Sequence, residues 1–399
     1  MDLKKLDIMK NDKLTKIVRS YRTSQMLSVL GLAIMLNLGS SSFAQEVSNA
    51  DSVSQKTSQK NYKEREVPKG NNVRELPQGL PFAVFSAGGT KEKELESFMT
   101  EQKVAGLLIL QDGKTRLERY ALEHSESKLW SSLSVAKSVT STLVGAAIKD
   151  GYIKSVDDYV TDYILDLKGS AYDSVKVRHL LTMTTGVRWN ENYSDPDSDI
   201  ARFNNDSIEP GMNATVSYMR QLPAEAKPGE KWLYSTGETH LLGALVSAAT
   251  NQTLSHYLSS KIWIPYGMEQ TATWRLDRTG QEMAGCCLQM RLRDFARFGQ
   301  FVLEDGRING TSIVPDGWFK TATQIQVSLW PGGGYGYGWW IKNDYSFEAL
   351  GIHGQMIYID PSRKLVIAIN SAWPEADSYE RQVAVANFIN SISEEIDKE

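Results

Sequence analysis

The stretch from Trp130 to Ile148 constrains this chain more than any other. It reads as an apolar turn, then Ser134-Val-Ala-Lys137, then a run of small and apolar residues ending at Gly151. The run predicts a helix with a glycine stop. Positions i and i+3 share a helix face, so the Ser134 hydroxyl and the Lys137 amine can touch. A serine hydroxyl is a weak nucleophile until a neighbouring base takes its proton, and burial in an apolar site lowers a lysine pKa towards that task. The helix start adds free backbone N–H groups and a positive dipole end, which favour developing negative charge. These are the parts of an acyl-transfer nucleophile. Ser125-Glu-Ser-Lys128 has the same spacing but lies in a charged stretch with no helix pattern of its own. Taken by itself, the stretch also fits a serine that only caps a helix.

At 399 residues the chain can bury a large core. Met26–Gly39 is the only long apolar run, with Lys4, Lys5, Lys10, Lys13, Lys16, Arg19 and Arg22 before it and small residues after it. It is too short to span a bilayer comfortably and reads as a secretory signal peptide over 1–44, cut near Ala44. A later start at Met9 or Met26 fits the long leading segment, and an uncleaved anchor is the competing reading. The expected mature protein is exported, periplasmic or secreted, with no stable membrane span. Removing 1–44 takes away seven Lys/Arg and three Asp/Glu, so the formal charge goes from −4 to −8. That argues against nucleic acid as a partner. Cys286 and Cys287 are the only cysteines and are adjacent, so no disulfide framework is present. Two buried thiols are expected there rather than a vicinal disulfide.

Residues 45–75 are polar and poor in apolar side chains, which predicts a flexible linker ahead of a domain over 76–399. A helix at Glu94–Glu101 leads into a buried strand at Val104–Leu110, and Asp112-Gly113 turns it into a second strand at Thr115–Ala121. Residues 151–285 read mainly as helices and loops, with helices at 177–186, 239–250 and 254–262. Leu292–Leu303 is amphipathic. Tyr335–Ile341, Ala349–Ile359 and Leu365–Asn370 follow as three strands, and a helix over 379–396 closes the chain. The expected fold is α/β (α+β): an antiparallel sheet built from both ends of the chain (76–150 and 286–399), flanked by helices, with a mostly helical lobe at 151–285 inserted.

Four motifs in order now resemble a known family. They are Ser134-Val-Ala-Lys137, the run Arg178-His-Leu-Leu-Thr-Met-Thr-Thr-Gly186, Tyr234-Ser-Thr236, and Gly351-Ile-His-Gly-Gln355 ahead of a strand and Asp360-Pro361. The chain resembles the serine β-lactamase-like hydrolases, which include class C β-lactamases, DD-peptidases and esterases. Trp189-Asn-Glu-Asn-Tyr193 brings it nearest to the branch that hydrolyses 6-aminohexanoate oligomers. The resemblance implies a catalytic set of Ser134, Lys137 and Tyr234, with Tyr234 carrying the proton. A phenol beside an ammonium is expected to have a lowered pKa. The backbone N–H groups of Ser134 and Gln355 are then the oxyanion donors. Tyr193, His353, Gly354 and Trp189 are the implied substrate contacts, and Trp189, Trp330, Trp339 and Trp340 are candidate cleft walls.

This sequence departs from the penicillin-recognising pattern in two places. Ile352-His353-Gly354 stands where Lys-Thr/Ser-Gly binds a substrate carboxylate, and Thr236 stands where an Asn grips a side-chain amide. Both changes remove handles for β-lactams. A His353-based triad lacks any G-x-S-x-G elbow, and the histidine spacing suggests no metal site; no cofactor is expected. The leading expectation is an exported serine hydrolase cleaving small esters or amides through an acyl-enzyme. A DD-peptidase or β-lactamase is the first alternative, and a non-catalytic binding or sensor protein on the same fold is the second.

Overall fold

The fold is organised about β2 (Val104–Gln111), whose Val104 to Leu110 are all buried because the sheet is covered on both faces. The computed structural model describes residues 62–342 and 345–399; the expected signal segment and most of the expected linker lie outside them. Asp112 and Gly113 both take positive φ, closing the hairpin to β3 (Lys114–Tyr120). On the other side of β2 lies β14 (Leu365–Ser371), so the two ends of the chain meet in one sheet. The sheet continues through β13 (Gln355–Asp360), β12 (Phe347–Gly351), β11 (Trp340–Ile341), β10 (Gly333–Tyr335) and β9 (Val327–Trp330). All these pairings are antiparallel.

One face is covered by α1 (Glu92–Glu101) and the C-terminal α6 (Tyr379–Ile396), whose Phe98 and Phe388 rings stack 4.0 Å apart. The other face carries α2 (Ala136–Lys149) and α5 (Leu292–Leu303). Helix α5 lies close against the strands at Gly299, where a Cβ would come within 2.5 Å of Val366 Cγ1. Helices α3 (Val177–Leu181) and α4 (Thr236–Thr250) lie between α2 and α5 in sequence. Among the described residues no helix is long and apolar enough to cross a membrane.

Three expectations need correction. The polar stretch read as a linker to residue 75 contains β1 (Glu64–Val67), which pairs with β5 (Ala272–Arg275) and buries Val67. Arg65 and Glu282 pair at 2.6 Å, so the strand is fixed by ladder bonds and charge despite its scant apolar content. With β6 (Leu288–Met290) and β4 (Trp130–Ser131) these strands form a second sheet, which the sequence reading missed. Tyr335–Ile341 is two short strands, not one, because Gly338 at φ +75 turns the chain between them. Ala349–Ile359 is likewise two antiparallel strands. The chain reverses at His353 (φ +60) and Gly354 (φ +83), where Gly351-Ile-His-Gly-Gln355 interrupts the apolar pattern. A short hairpin, β7 (Arg307–Ile308) and β8 (Thr311–Ser312), follows α5.

Candidate active site

Ser134 lies in a single 3₁₀ turn, Leu133–Val135, that feeds directly into α2. Leu133 takes φ +44, a left-handed conformation that costs energy for a branched side chain and so depends on its surroundings. Helix α2, which follows, is fixed by buried hydroxyls. Ser138 Oγ donates to Gly338 O at 2.6 Å, Ser141 Oγ to Tyr337 O at 2.6 Å, and Thr140 Oγ1 to Ala284 O at 2.8 Å. Each otherwise costly polar group thus ties the helix to a neighbouring loop. Lys137 points back along the same face and is buried. Its Nζ donates to Ser134 Oγ, Thr236 Oγ1 and Gly285 O, each at 2.9 Å, which uses all three ammonium protons.

Burial pushes the Lys137 amine down to about 8, against the opposing pull of Glu191. Tyr234 packs on the same pair, with Lys137 Nζ 4.9 Å from its ring centroid. Its ring lies 5.8 Å from that of Trp340, nearly parallel. Burial and then Glu191 raise the Tyr234 phenol, and a hydrogen bond with Ser134 only partly offsets them. The expected lowering is therefore reversed, because desolvation and the Glu191 carboxylate outweigh the hydrogen bond with Ser134. Tyr234 is a neutral phenol. Glu191 gathers several donors: Thr236 N at 3.0 Å, Tyr193 OH at 2.6 Å, Thr236 Oγ1 and the Trp189 indole N–H. A chain of contacts runs from Lys137 through Thr236 to Glu191.

The turn between β12 and β13 approaches the nucleophile. A Cβ on Gly351 would lie 3.1 Å from Ser134 N and 2.8 Å from Ser132 O, so a side chain there would crowd the Ser134 backbone. Gly351 pairs with Gln355 across the ladder. The Gln355 side chain accepts from Trp130 Nε1 at 2.7 Å and donates to Ser371 O at 2.8 Å, fixing the start of β13. A cleft of about 700 Å³ opens over this arrangement, with Ser134, Tyr234, Tyr193, Glu191, Gly354 and Gln355 in its lining.

The chain matches the Beta-lactamase family over residues 92–388, well over half its length. It belongs to the beta-lactamase family. This family member is 28% identical to the 6-aminohexanoate-dimer hydrolase of Paenarthrobacter ureafaciens over 315 residues, 75% of this chain and 80% of that protein. A solved structure from Bacillus anthracis, provisionally named a 6-aminohexanoate-dimer hydrolase, superposes with a TM-score of 0.74. It has 25% identity and covers 84% of this chain and 92% of its own. A beta-lactamase of Pseudomonas fluorescens is 25% identical over 189 residues, 45% of this chain and 49% of that protein. The fold, the family and its hydrolase relatives make this protein a serine hydrolase of the acyl-transfer class.

Within this beta-lactamase fold the structure brings together Ser134, Lys137, Tyr234, Tyr193, Gly354 and Gln355. Two implied substrate contacts lie elsewhere. His353 directs Nδ1 to the Trp373 carbonyl at 2.8 Å and does not line the cleft, because the left-handed turn points it at the end of β14. Trp189 is buried against the Tyr218 ring and gives its N–H to Glu191, so it holds the carboxylate from behind. Of the other tryptophans, Trp330 and Trp340 line the cleft, while Trp339 stacks on Phe298 in the core. Cys286 and Cys287 are bonded to each other and half-buried, not buried thiols. Cys287 takes φ +68, which brings the adjacent side chains to the same side. Sequence reasoning missed Glu191 and His240. His240 is buried, its ring held neutral by desolvation with a pKa down to about 3, and its Nδ1 accepts Gly285 N–H at 3.0 Å. It thereby positions the carbonyl that receives Lys137.

Proposed function

We propose that this protein cleaves small esters or amides through an acyl-enzyme on Ser134. The observation that carries the reading is the 2.9 Å contact between Lys137 Nζ and Ser134 Oγ, with the amine lowered to about 8. The neutral fraction of Lys137 accepts the Ser134 proton as Oγ attacks the carbonyl carbon. The neutral Tyr234 phenol, in contact with Ser134, passes a proton to the leaving oxygen or nitrogen, and reprotonation from Lys137 completes the cycle. The backbone N–H groups of Ser134 and Gln355 hold the tetrahedral oxygen. Water then attacks the acyl-enzyme with the same groups in reverse. Tyr193 at the cleft mouth, its hydroxyl on Glu191, contacts the leaving group. The printed names of relatives that cleave a linear amide support the amide side of this proposal. The 26–44 pattern and the bonded cysteine pair support export to an oxidising compartment.

The test is turnover of p-nitrophenyl butyrate against benzylpenicillin. Ester turnover with no lasting penicillin adduct is expected, since Ile352-His353-Gly354 supplies no lysine for the β-lactam carboxylate. A persistent adduct on Ser134 would sink the ester reading and favour cell-wall peptides.

The pH dependence follows from Lys137. Its neutral form is the base, so kcat/KM should rise with pH through about 8 in a one-proton step. Glu191 holds that pKa up, so Glu191→Gln should move the rise to lower pH. It should also reduce the maximum by about 10- to 100-fold, because a charge-assisted grip on Thr236 is lost. A limb that stays in place in the variant would show that another group titrates.

A further inference from the structure

The cleft does not end at the catalytic groups. It continues along the outer face of β12 and β13, where ladder register places two rows of side chains. Trp340, Glu348 and Tyr358 form one row, and Leu350, Met356 and Ile369 form the other. Helix α6 covers the β14 side of this face and forms one wall with Val385, Ala386 and Ile389. The trough runs from Gly351, beside Ser134 N, to an ion pair of Lys342 Nζ and Glu348 Oε1 at 2.8 Å.

Its chemistry selects an occupant. β12 and β13 are each paired on both sides, so beyond the Gln355 end their backbone groups are taken up by the ladder and an extended peptide has no edge to join. Among the described residues, the only cation lining the trough, Lys342, is already paired. Asp377, Gln382 and Asn390 add polar groups at its rim, and the greater part of the lining is apolar side-chain surface in the same cleft as the nucleophile. A leaving group must lie against Tyr234 to receive its proton, and Trp340 stacks on Tyr234 on that side, which leaves the row of Leu350, Met356 and Ile369 to the acyl part.

We propose that this trough binds an unbranched aliphatic acyl chain, making the natural substrates esters or amides of medium-chain fatty acids. The inference rests on the acyl-enzyme reading above. Gly351 to Glu348 spans three strand residues, or about 10 Å. An extended chain advances about 1.2 Å per skeletal bond, so the trough holds about eight bonds.

The experiment is a chain-length series of p-nitrophenyl esters from acetate to dodecanoate, read as kcat/KM, with methyl to octyl acetates varying the alcohol side. Each added methylene on the acyl side should raise kcat/KM about two- to four-fold until about eight carbons, then the gain should stop. Ala386→Phe narrows the wall and should lower the octanoate-to-acetate ratio at least tenfold; Leu350→Phe, filling the floor instead, should do the same. A flat wild-type acyl series, or dependence on the alcohol chain alone, overturns the trough while leaving the hydrolase reading intact. Absence of all ester turnover overturns both. Because the wild-type series stands by itself, a variant that fails to fold does not shelter the proposal.

Discussion

Ser134→Ala is expected to lower kcat/KM on p-nitrophenyl esters by about 10⁴-fold or more, with little change in thermal unfolding. Among the described residues, the hydroxyl is the only group that both lies 2.9 Å from Lys137 Nζ and lines the cleft. Removing it leaves the lysine still bonded to Thr236 and Gly285, so no buried charge loses all its partners. The cost to folding is therefore small. A variant that keeps on the order of a tenth of wild-type turnover would show that a different nucleophile is at work.

The second large effect is on stability and lies away from the chemistry. Asp294 is fully buried in the first turn of α5 and accepts Glu269 N at 2.8 Å and Gln270 N at 3.1 Å. It also pairs with the buried Arg297 at 3.1 Å, whose Nη1 meets Glu269 Oε2 at 2.8 Å and whose Nε donates to Arg74 O at 2.8 Å. Asp294→Ala leaves two N–H groups without their acceptor and weakens the pairing of a buried guanidinium. A loss of about 3 to 5 kcal/mol is expected, measured as a lower urea midpoint. Arg297 spans α5, the loop at Glu269 and the segment at Arg74, so the loss should be felt globally rather than as local fraying. A loss below about 1 kcal/mol would mean that water replaces these contacts.

Much of this arrangement was legible in the residues. The Ser134 to Lys137 spacing works because a helix brings i and i+3 onto one face, and Leu292–Leu303 and the closing helix at 379–396 fall where the apolar period places them. The fold class followed from order: strands at both ends with helices between. What escaped was set by long-range geometry. Glu191 sits in a polar loop that reads as solvated, and only the folding of that loop onto Thr236, 45 positions later, turns it into a site carboxylate. His240 reads as one more residue of a buried helix until Gly285 meets its ring. The reversal at 352–354 lies between two apolar stretches that were joined into one strand, and Gly351, His353 and Gly354 were the available signal. Tyr234 shows a different limit. The sign of its pKa shift is set by burial and Glu191, which outweigh the hydrogen bond with Ser134, a balance that spacing does not encode.

The most direct test of the account is peptide mapping by mass spectrometry after brief labelling with a small fluorophosphonate, repeated in the presence of excess p-nitrophenyl butyrate. The account predicts one adduct, on Ser134, whose formation slows while the ester occupies the nucleophile and recovers once it is consumed. An adduct on another residue, or labelling of Ser134 that the ester does not slow, would contradict an acyl-enzyme at this site.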